Sequence, residues 1–205
     1  MLFRSIADGT RWQRLAPIYN SAEALENTIR TYRHDLWRSQ GIRLEVWLEK
    51  DTLADLVFPV TNRWQVPFMV TRGQTSDTYV QGAAREVRAS FDYGIETLIL
   101  MMYDSDSYGR DAARKVEEKI QTYSGIPVPC KLLAVTDDQI ALWDLPTRPD
   151  KKDDRDVVEL DAIPPDKLIQ LVENAIITLV DDDAWKREQI IEKSEREILE
   201  RMVAA

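Results

Sequence analysis

Four carboxylates stand where two apolar segments give way to polar turns, and their spacing is the feature of this sequence that could do chemistry. Glu49 and Asp51 close the segment Arg43-Leu-Glu-Val-Trp-Leu-Glu49-Lys-Asp51. Asp104 and Asp106 lie in the run Leu98-Ile-Leu-Met-Met-Tyr-Asp104-Ser-Asp106-Ser-Tyr-Gly109. As strands of one parallel sheet, the two segments would deliver both acidic sets to its carboxyl edge, where open α/β sheets keep their ligand sites. Carboxylates gathered there repel one another unless a cation lies between them. Magnesium (or manganese) suits such a site, because it takes hard oxygen ligands, keeps several waters and needs only one or two carboxylates. With a phosphate ester as substrate, the chemistry would be metal-assisted phosphoryl transfer. In that reading Asp104 and Asp106 are magnesium ligands, and Glu49 holds a second ion or moves a proton. The structural alternative is that Asp106 or Ser107 simply caps the helix that follows.

The elements that must position these groups read as βαβαβαβ. Ser21 opens a helix as its N-cap, with Leu25, Ile29, Tyr32 and Leu36 at helical spacing and Gly41 as its stop. A strand at 43–49 places Leu44, Val46 and Leu48 on one face. Helix is expected over 51–64, kinked or interrupted by Pro59, then a short strand at 66–71 and a turn at Arg72-Gly73-Gln74. Helix over 77–92, strand over 97–103, helix over 107–123 and strand over 128–135 complete the pattern. Beyond it come a short helix capped by Thr136, a polar loop over 145–155, an added strand at 157–160, and helices over 166–179 and 184–203. The expected class is α/β, with a Rossmann-like, mostly parallel sheet of about four strands flanked by helices. The division is an N-terminal arm and helix at 1–41, the core at 42–145, and a loop, short strand and C-terminal helices at 146–205 that pack on or extend from the core.

Composition narrows the classes. With 44% hydrophobic and 31% charged residues, the 205-residue chain is globular, not disordered. The formal charge of −9 argues against a surface that grips nucleic acid everywhere. That charge is uneven: +3 over residues 1–43, −7 over 144–205, and −5 between them, part of which is the acidic cluster itself. A single cysteine, Cys130, excludes an internal disulfide, and its apolar setting marks a buried structural thiol. His34 is the only histidine, so no histidine-rich zinc or iron site can be built. No apolar run approaches the length of a membrane span, and no secretory leader is evident, so the expected location is the cytoplasm. Six tryptophans read mainly as packing residues, not as a base-stacking platform.

Three segments together resemble the Toprim pattern: Leu44-Glu-Val-Trp-Leu-Glu49-Lys-Asp51, Val70-Thr-Arg-Gly73, and Tyr103-Asp-Ser-Asp-Ser-Tyr-Gly109. That pattern has a glutamate after the first strand, a glycine-bearing turn after the second and Asp-x-Asp after the third. Toprim domains occur in topoisomerases, bacterial primases, overcoming-lysogenisation-defect nucleases and small recombination-linked nucleases. The spacing is most similar to the A subunit of type IIB topoisomerases, and to a group of phage and actinobacterial Toprim-like proteins. The latter likeness adds Arg33-His-Asp-Leu-Trp37 and Glu159-Leu-Asp161-Ala-Ile-Pro-Pro165, so that it covers about residues 30–180. The resemblance implies that Glu49 is a general acid/base or second-metal ligand and that Asp104 and Asp106 hold magnesium. Asp51 could assist from the same turn, and Gly73 would shape the second turn. Arg72 facing a phosphate goes beyond the pattern. Glu159 and Asp161 could reach the site, or serve in salt bridges or caps.

Departures from the group's usual segments are Gly73-Gln-Thr-Ser76 for Gly-Tyr-Ser-Ser, and Asp104-Ser-Asp-Ser-Tyr-Gly109 for Asp-His-Asp-Pro-Ser-Gly. The stretch before residue 43 is too short for the winged-helix domain that carries the cleaving tyrosine of type IIB topoisomerases, so a self-sufficient topoisomerase is not expected. The expected function is magnesium-dependent processing of nucleic-acid phosphodiesters, with DNA as the partner and a setting in DNA metabolism or phage and mobile-element biology. An alternative is a noncatalytic metal-binding module that acts with a DNA-processing partner, or as a homodimer through the C-terminal helix. A third is a haloacid-dehalogenase-like phosphatase, although that family places its Asp-x-Asp on the first strand with Thr or Val two residues on, where this chain has Tyr108.

Overall fold

The computed structural model describes residues 20–72, 76–152 and 154–204; the arm at 1–19 and Gly73 lie outside them. In chain order the elements are α1 (Ser21–Thr31), β1 (Ile42–Leu48), α2 (Ala54–Arg63), β2 (Phe68–Val70), α3 (Asp77–Asp92), β3 (Glu96–Met102) and α4 (Ser107–Ser124). They continue with β4 (Cys130–Ala134), α5 (Asp137–Trp143), β5 (Arg148–Pro149), β6 (Asp156–Val157), α6 (Pro165–Ile177) and α7 (Asp182–Ala204). Residues 40–181 form one unit; residues 20–39 and 182–204 belong to a second.

The unit of residues 40–181 is α/β, built on a four-stranded parallel sheet in the order β2-β1-β3-β4. β1 and β3 pair along their whole length, from Ile42 opposite Glu96 to Leu48 opposite Met102. Side chains alternate across a strand, so each central strand serves two faces. On one face Trp47, Ile99, Met101 and Tyr103 pack against Val80, Ala84 and Val87 of α3 and Ala112, Val116 and Ile120 of α4. Leu44, Val46, Leu48, Leu100 and Met102 alternate with these and are buried toward the opposite face; α2 and α6 pack against one another. The strand periodicity in β1 is therefore real, yet every residue from Leu44 to Leu48 is buried. Even Glu45 is, its carboxylate accepting from Trp47 Nε1 at 2.8 Å and Arg43 Nε at 2.9 Å.

Several local expectations are corrected. The N-cap of α1 is Asn20, whose Oδ1 accepts from the Glu23 N–H at 2.8 Å while Glu23 reaches back to the Asn20 N–H at 3.3 Å. The helix also stops at Thr31, not near Gly41, because the following residues are claimed by α7: the Tyr32 carbonyl accepts from Arg196 at 2.5 Å and the His34 N–H donates to Glu192 at 3.3 Å. A 3-10 turn at Asp51–Leu53 leads into α2, which then runs through Pro59. The polar loop contains β5, and β6 pairs antiparallel with β5 instead of extending the main sheet. Cys130 is half-buried, and burial pushes its thiol up to about 12, as befits a structural residue.

Gly109 shows how tightly α4 is set against the end of β3. Its N–H donates to Asp106 Oδ1 at 2.8 Å, and a Cβ there would strike the Asp104 carbonyl oxygen and come within 2.9 Å of that residue's carbonyl carbon and Cβ. The Gly109→Ala variant should lose about 1–3 kcal/mol of stability through this overpacking. Urea denaturation measures it, and a loss below about 0.5 kcal/mol would contradict so close an approach.

Candidate acidic site at the switch point between two central strands

The chain leaves β1 toward β2 on one side and reaches β3 on the other, so the crossovers diverge between β1 and β3. A crevice outside the carboxyl ends of two such strands is the usual ligand position in an open α/β sheet. Glu49 is the first residue after β1 and Asp104 the second after β3. Register brings them together: the Glu49 N–H donates to the Met102 carbonyl at 3.0 Å, and Glu49 Oε2 accepts from the Asp104 N–H at 3.0 Å. Below them, Tyr103 donates to Thr71 Oγ1 at 2.8 Å and Thr71 donates to the Leu48 carbonyl at 3.2 Å, tying the ends of β1, β2 and β3.

A second chain segment completes the site. Ser105, buried, donates to the Val158 carbonyl at 3.1 Å and accepts from the Val158 N–H at 2.7 Å. The Leu160 N–H donates to Asp104 Oδ1 at 2.7 Å. These bonds bring Glu159 and Asp161 beside the Asp104-Ser-Asp106 turn. Lys50 then bridges three acids, with Nζ 3.4 Å from Asp104 Oδ2, 3.2 Å from Glu159 Oε2 and 3.2 Å from Asp161 Oδ1. Arg148 joins Asp106 Oδ2 at 2.9 Å to Glu159 Oε1 at 3.1 Å. Asp106 is also the N-cap of α4, and Ser107 is held by Asp150 through its N–H at 2.7 Å and its hydroxyl at 2.9 Å.

Five of the expected site residues therefore converge: Glu49, Asp104, Asp106, Glu159 and Asp161. Asp51 and Arg72 instead pair with each other at 3.3 Å, both largely exposed, and Gly73 lies outside the described residues. Sequence reasoning missed Lys50, Ser105, Arg148 and Asp150. Lys50 was legible as the middle of Glu-Lys-Asp; Arg148 and Asp150 sit in a stretch without periodicity, and only the tertiary fold brings them here.

Burial sets the electrostatics. It raises the Glu49 carboxyl, which the Asp104 N–H partly offsets and the charges of Asp104 and Asp106 raise further. Asp104 is likewise raised by burial against the opposing pull of the Leu160 N–H and Lys50. Burial pulls the Lys50 ammonium down, but Asp104, Glu159 and Asp161 outweigh it and leave it above its ordinary value. Glu159 is lowered by its bond to Lys50. Among the described residues no three His, Cys, Asp or Glu side chains are arranged to hold a metal ion. The counter-charge comes from an ammonium and a guanidinium. The donor set itself, carboxylate oxygens only, has the hardness a magnesium or manganese ion requires.

Beside Asp104 opens a groove of about 530 Å³, with Met101, Cys130, Leu132 and Val135 in its wall and Arg110 and Arg155 among its polar residues. No helix among the described residues is long and apolar enough to cross a membrane. No family model, curated protein or solved structure matches the chain.

Replacing Lys50 by methionine should cost about 1–3 kcal/mol at pH 7, since three acids lose a partly buried counter-ion. Asp104 would be raised further and Glu159 would lose the partner that lowers it, so the deficit relative to wild type should shrink as pH falls and they protonate. Urea denaturation at pH 7 and pH 5 tests this; an equal deficit at both would show that Lys50 acts through packing alone.

Proposed function

We propose that the protein is a magnesium-dependent enzyme of the Toprim type that processes nucleic-acid phosphodiesters, in the manner of a nuclease acting on DNA in the cytoplasm. The observation that carries this reading is the placement of Glu49 and Asp104 on either side of the switch point, joined through the Asp104 N–H at 3.0 Å. Asp104 and Asp106, freed from Lys50 and Arg148, would hold the ion, and Glu49 would move a proton or hold a second ion; the ion's role would be to polarise a phosphoryl oxygen and neutralise developing charge. A manganese ion could substitute for magnesium.

The chain's own groups divide the remaining work. Glu49 is oriented by a backbone N–H and raised by burial, which suits it to exchange a proton nearer neutrality than an ordinary carboxylate does. Lys50 supplies a flexible cation at the same edge, able to meet a phosphate oxygen in place of Glu159 or Asp161. Asp106 and Gly109 hold the first turn of α4 in position. Arg110 and Arg155 beside the groove offer positive charge to a backbone, although Arg155 is paired with Asp137 at 3.2 Å and Arg110 lies 3.8 Å from Asp150. With so few cations at the groove, binding should be weak and its salt dependence shallow.

A second reading is a metal-binding module that works only with a DNA-processing partner. The ion pairs favour it over an enzyme active alone, since Lys50 and Arg148 occupy carboxylates that a partner's binding would have to free for the ion. A phosphatase of the haloacid-dehalogenase kind is disfavoured, because the Asp-x-Asp follows the third strand of the chain.

Plasmid nicking in magnesium or manganese separates these readings. The wild type should nick, and Glu49→Gln should reduce the rate by about 10²–10⁴-fold, the span expected for a lost proton-transfer group. Asp104→Asn should reduce it at least as far. Nicking by both variants at the wild-type rate would refute the assignment, while absence of nicking by a folded wild type would favour the partner-dependent module.

A further inference from the structure

The chain's single histidine lies outside the acidic site, in the unit formed by residues 20–39 and 182–204. The segment after α1 carries it, and the ring is 9% exposed. Both ring nitrogens meet carboxylates of α7: Nε2 lies 2.7 Å from Glu188 Oε2 and Nδ1 2.9 Å from Glu195 Oε2. A neutral imidazole has one donor and one acceptor nitrogen, whereas an ionised carboxylate only accepts. Two carboxylates on one ring are therefore satisfied together only by imidazolium. We infer that His34 is a pH-operated clasp, fastening the C-terminal helix α7 to the segment after α1 when the ring is charged and releasing it when the proton leaves.

The surroundings support this assignment. Glu188 and Glu195 lie seven residues apart, two turns along one face of α7, so the ring spans that face. Glu192 lies between them, accepting from the His34 N–H at 3.3 Å and from Arg196 Nε at 3.2 Å. Glu195 also accepts from the Tyr32 hydroxyl, and Arg33 reaches Glu192 at 4.0 Å. Arg38 adds positive charge near Glu188, and Arg196 donates to the Tyr32 carbonyl at 2.5 Å. The bond to Glu188 raises His34 above its ordinary value, with Glu195 adding to it against the opposing effect of burial. Glu188 is lowered in return by the same bond.

The sign follows from the raised group. Its stabilising contribution is complete below the unfolded histidine value of about 6.5 and is lost as pH rises through the folded value. Without its charge the ring leaves one nitrogen lone pair facing a carboxylate. That repulsion falls on α7, whose Ile190 and Ile198 are already exposed on another part of its surface.

Proton NMR of the full chain tests the clasp directly, because a lone histidine gives an unambiguous ring signal. The titration midpoint should lie above that of a histidine in an unstructured peptide, and Glu195→Gln, which removes the more exposed partner, should lower it. Amide hydrogen exchange, expressed as protection factors to remove the intrinsic pH effect, should show α7 losing protection as pH rises through that midpoint while β1 and β3 keep theirs. In His34→Gln the pH-dependent loss should disappear. A midpoint at or below the unstructured value, or α7 protection unchanged through the transition, would overturn the inference.

Discussion

Lys50 is the countercharge that allows carboxylates from two parts of the chain to share one sheet edge. Its ammonium lies within 3.4 Å of Asp104, Glu159 and Asp161, groups that reach it from the end of β3 and from the segment after β6. Like charges this close would otherwise hold one another in the protonated state or force the segments apart. Its position is fixed by its neighbour, for Glu49 is tied to β3 through both its backbone N–H and its side chain. The pairing of β1 with β3 thus sets the site, and the ion pairs set how its charge is balanced.

That balance gives the site two opposed properties. Burial favours the uncharged forms of Glu49 and Asp104, while Lys50 and the Leu160 N–H favour ionised Asp104. A divalent ion entering such a site would compete with an ammonium already present, so affinity depends on how readily Lys50 turns toward another anion. A phosphate is an apt partner, and ion binding and phosphodiester binding would then reinforce each other. Arg148 has a different part: by joining Asp106 to Glu159 it ties the first turn of α4 to the segment that carries Glu159 and Asp161.

Much of this fold was legible in the sequence because burial follows simple periods. The strand at 43–49 became Ile42–Leu48, the helix over 77–92 became Asp77–Asp92, and Thr136 caps α5 through a bond to the Gln139 N–H at 3.3 Å. Failures came where tertiary contacts override local preference. Tyr32 and Leu36 keep helical spacing from Leu25, yet α1 ends at Thr31 because α7 takes the polar groups that follow. Within the site, Glu49, Asp104 and Asp106 were legible as strand-end carboxylates. The convergence of Glu159 and Asp161 depends on Ser105, a short buried residue whose two bonds to Val158 leave no periodic trace. Arg72, read as facing a phosphate beyond the pattern, pairs with the exposed Asp51.

The proposed metal chemistry stands or falls on whether this edge binds a divalent cation. Calorimetric titration of manganese into the folded wild type, Asp104→Asn and Lys50→Met decides it. Saturable binding to the wild type is expected, with at least tenfold weaker binding to Asp104→Asn and no loss of affinity in Lys50→Met, where the competing ammonium is gone. No saturable binding to the wild type, or equal binding to wild type and Asp104→Asn, would contradict it and leave the carboxylates as a structural ion-pair cluster.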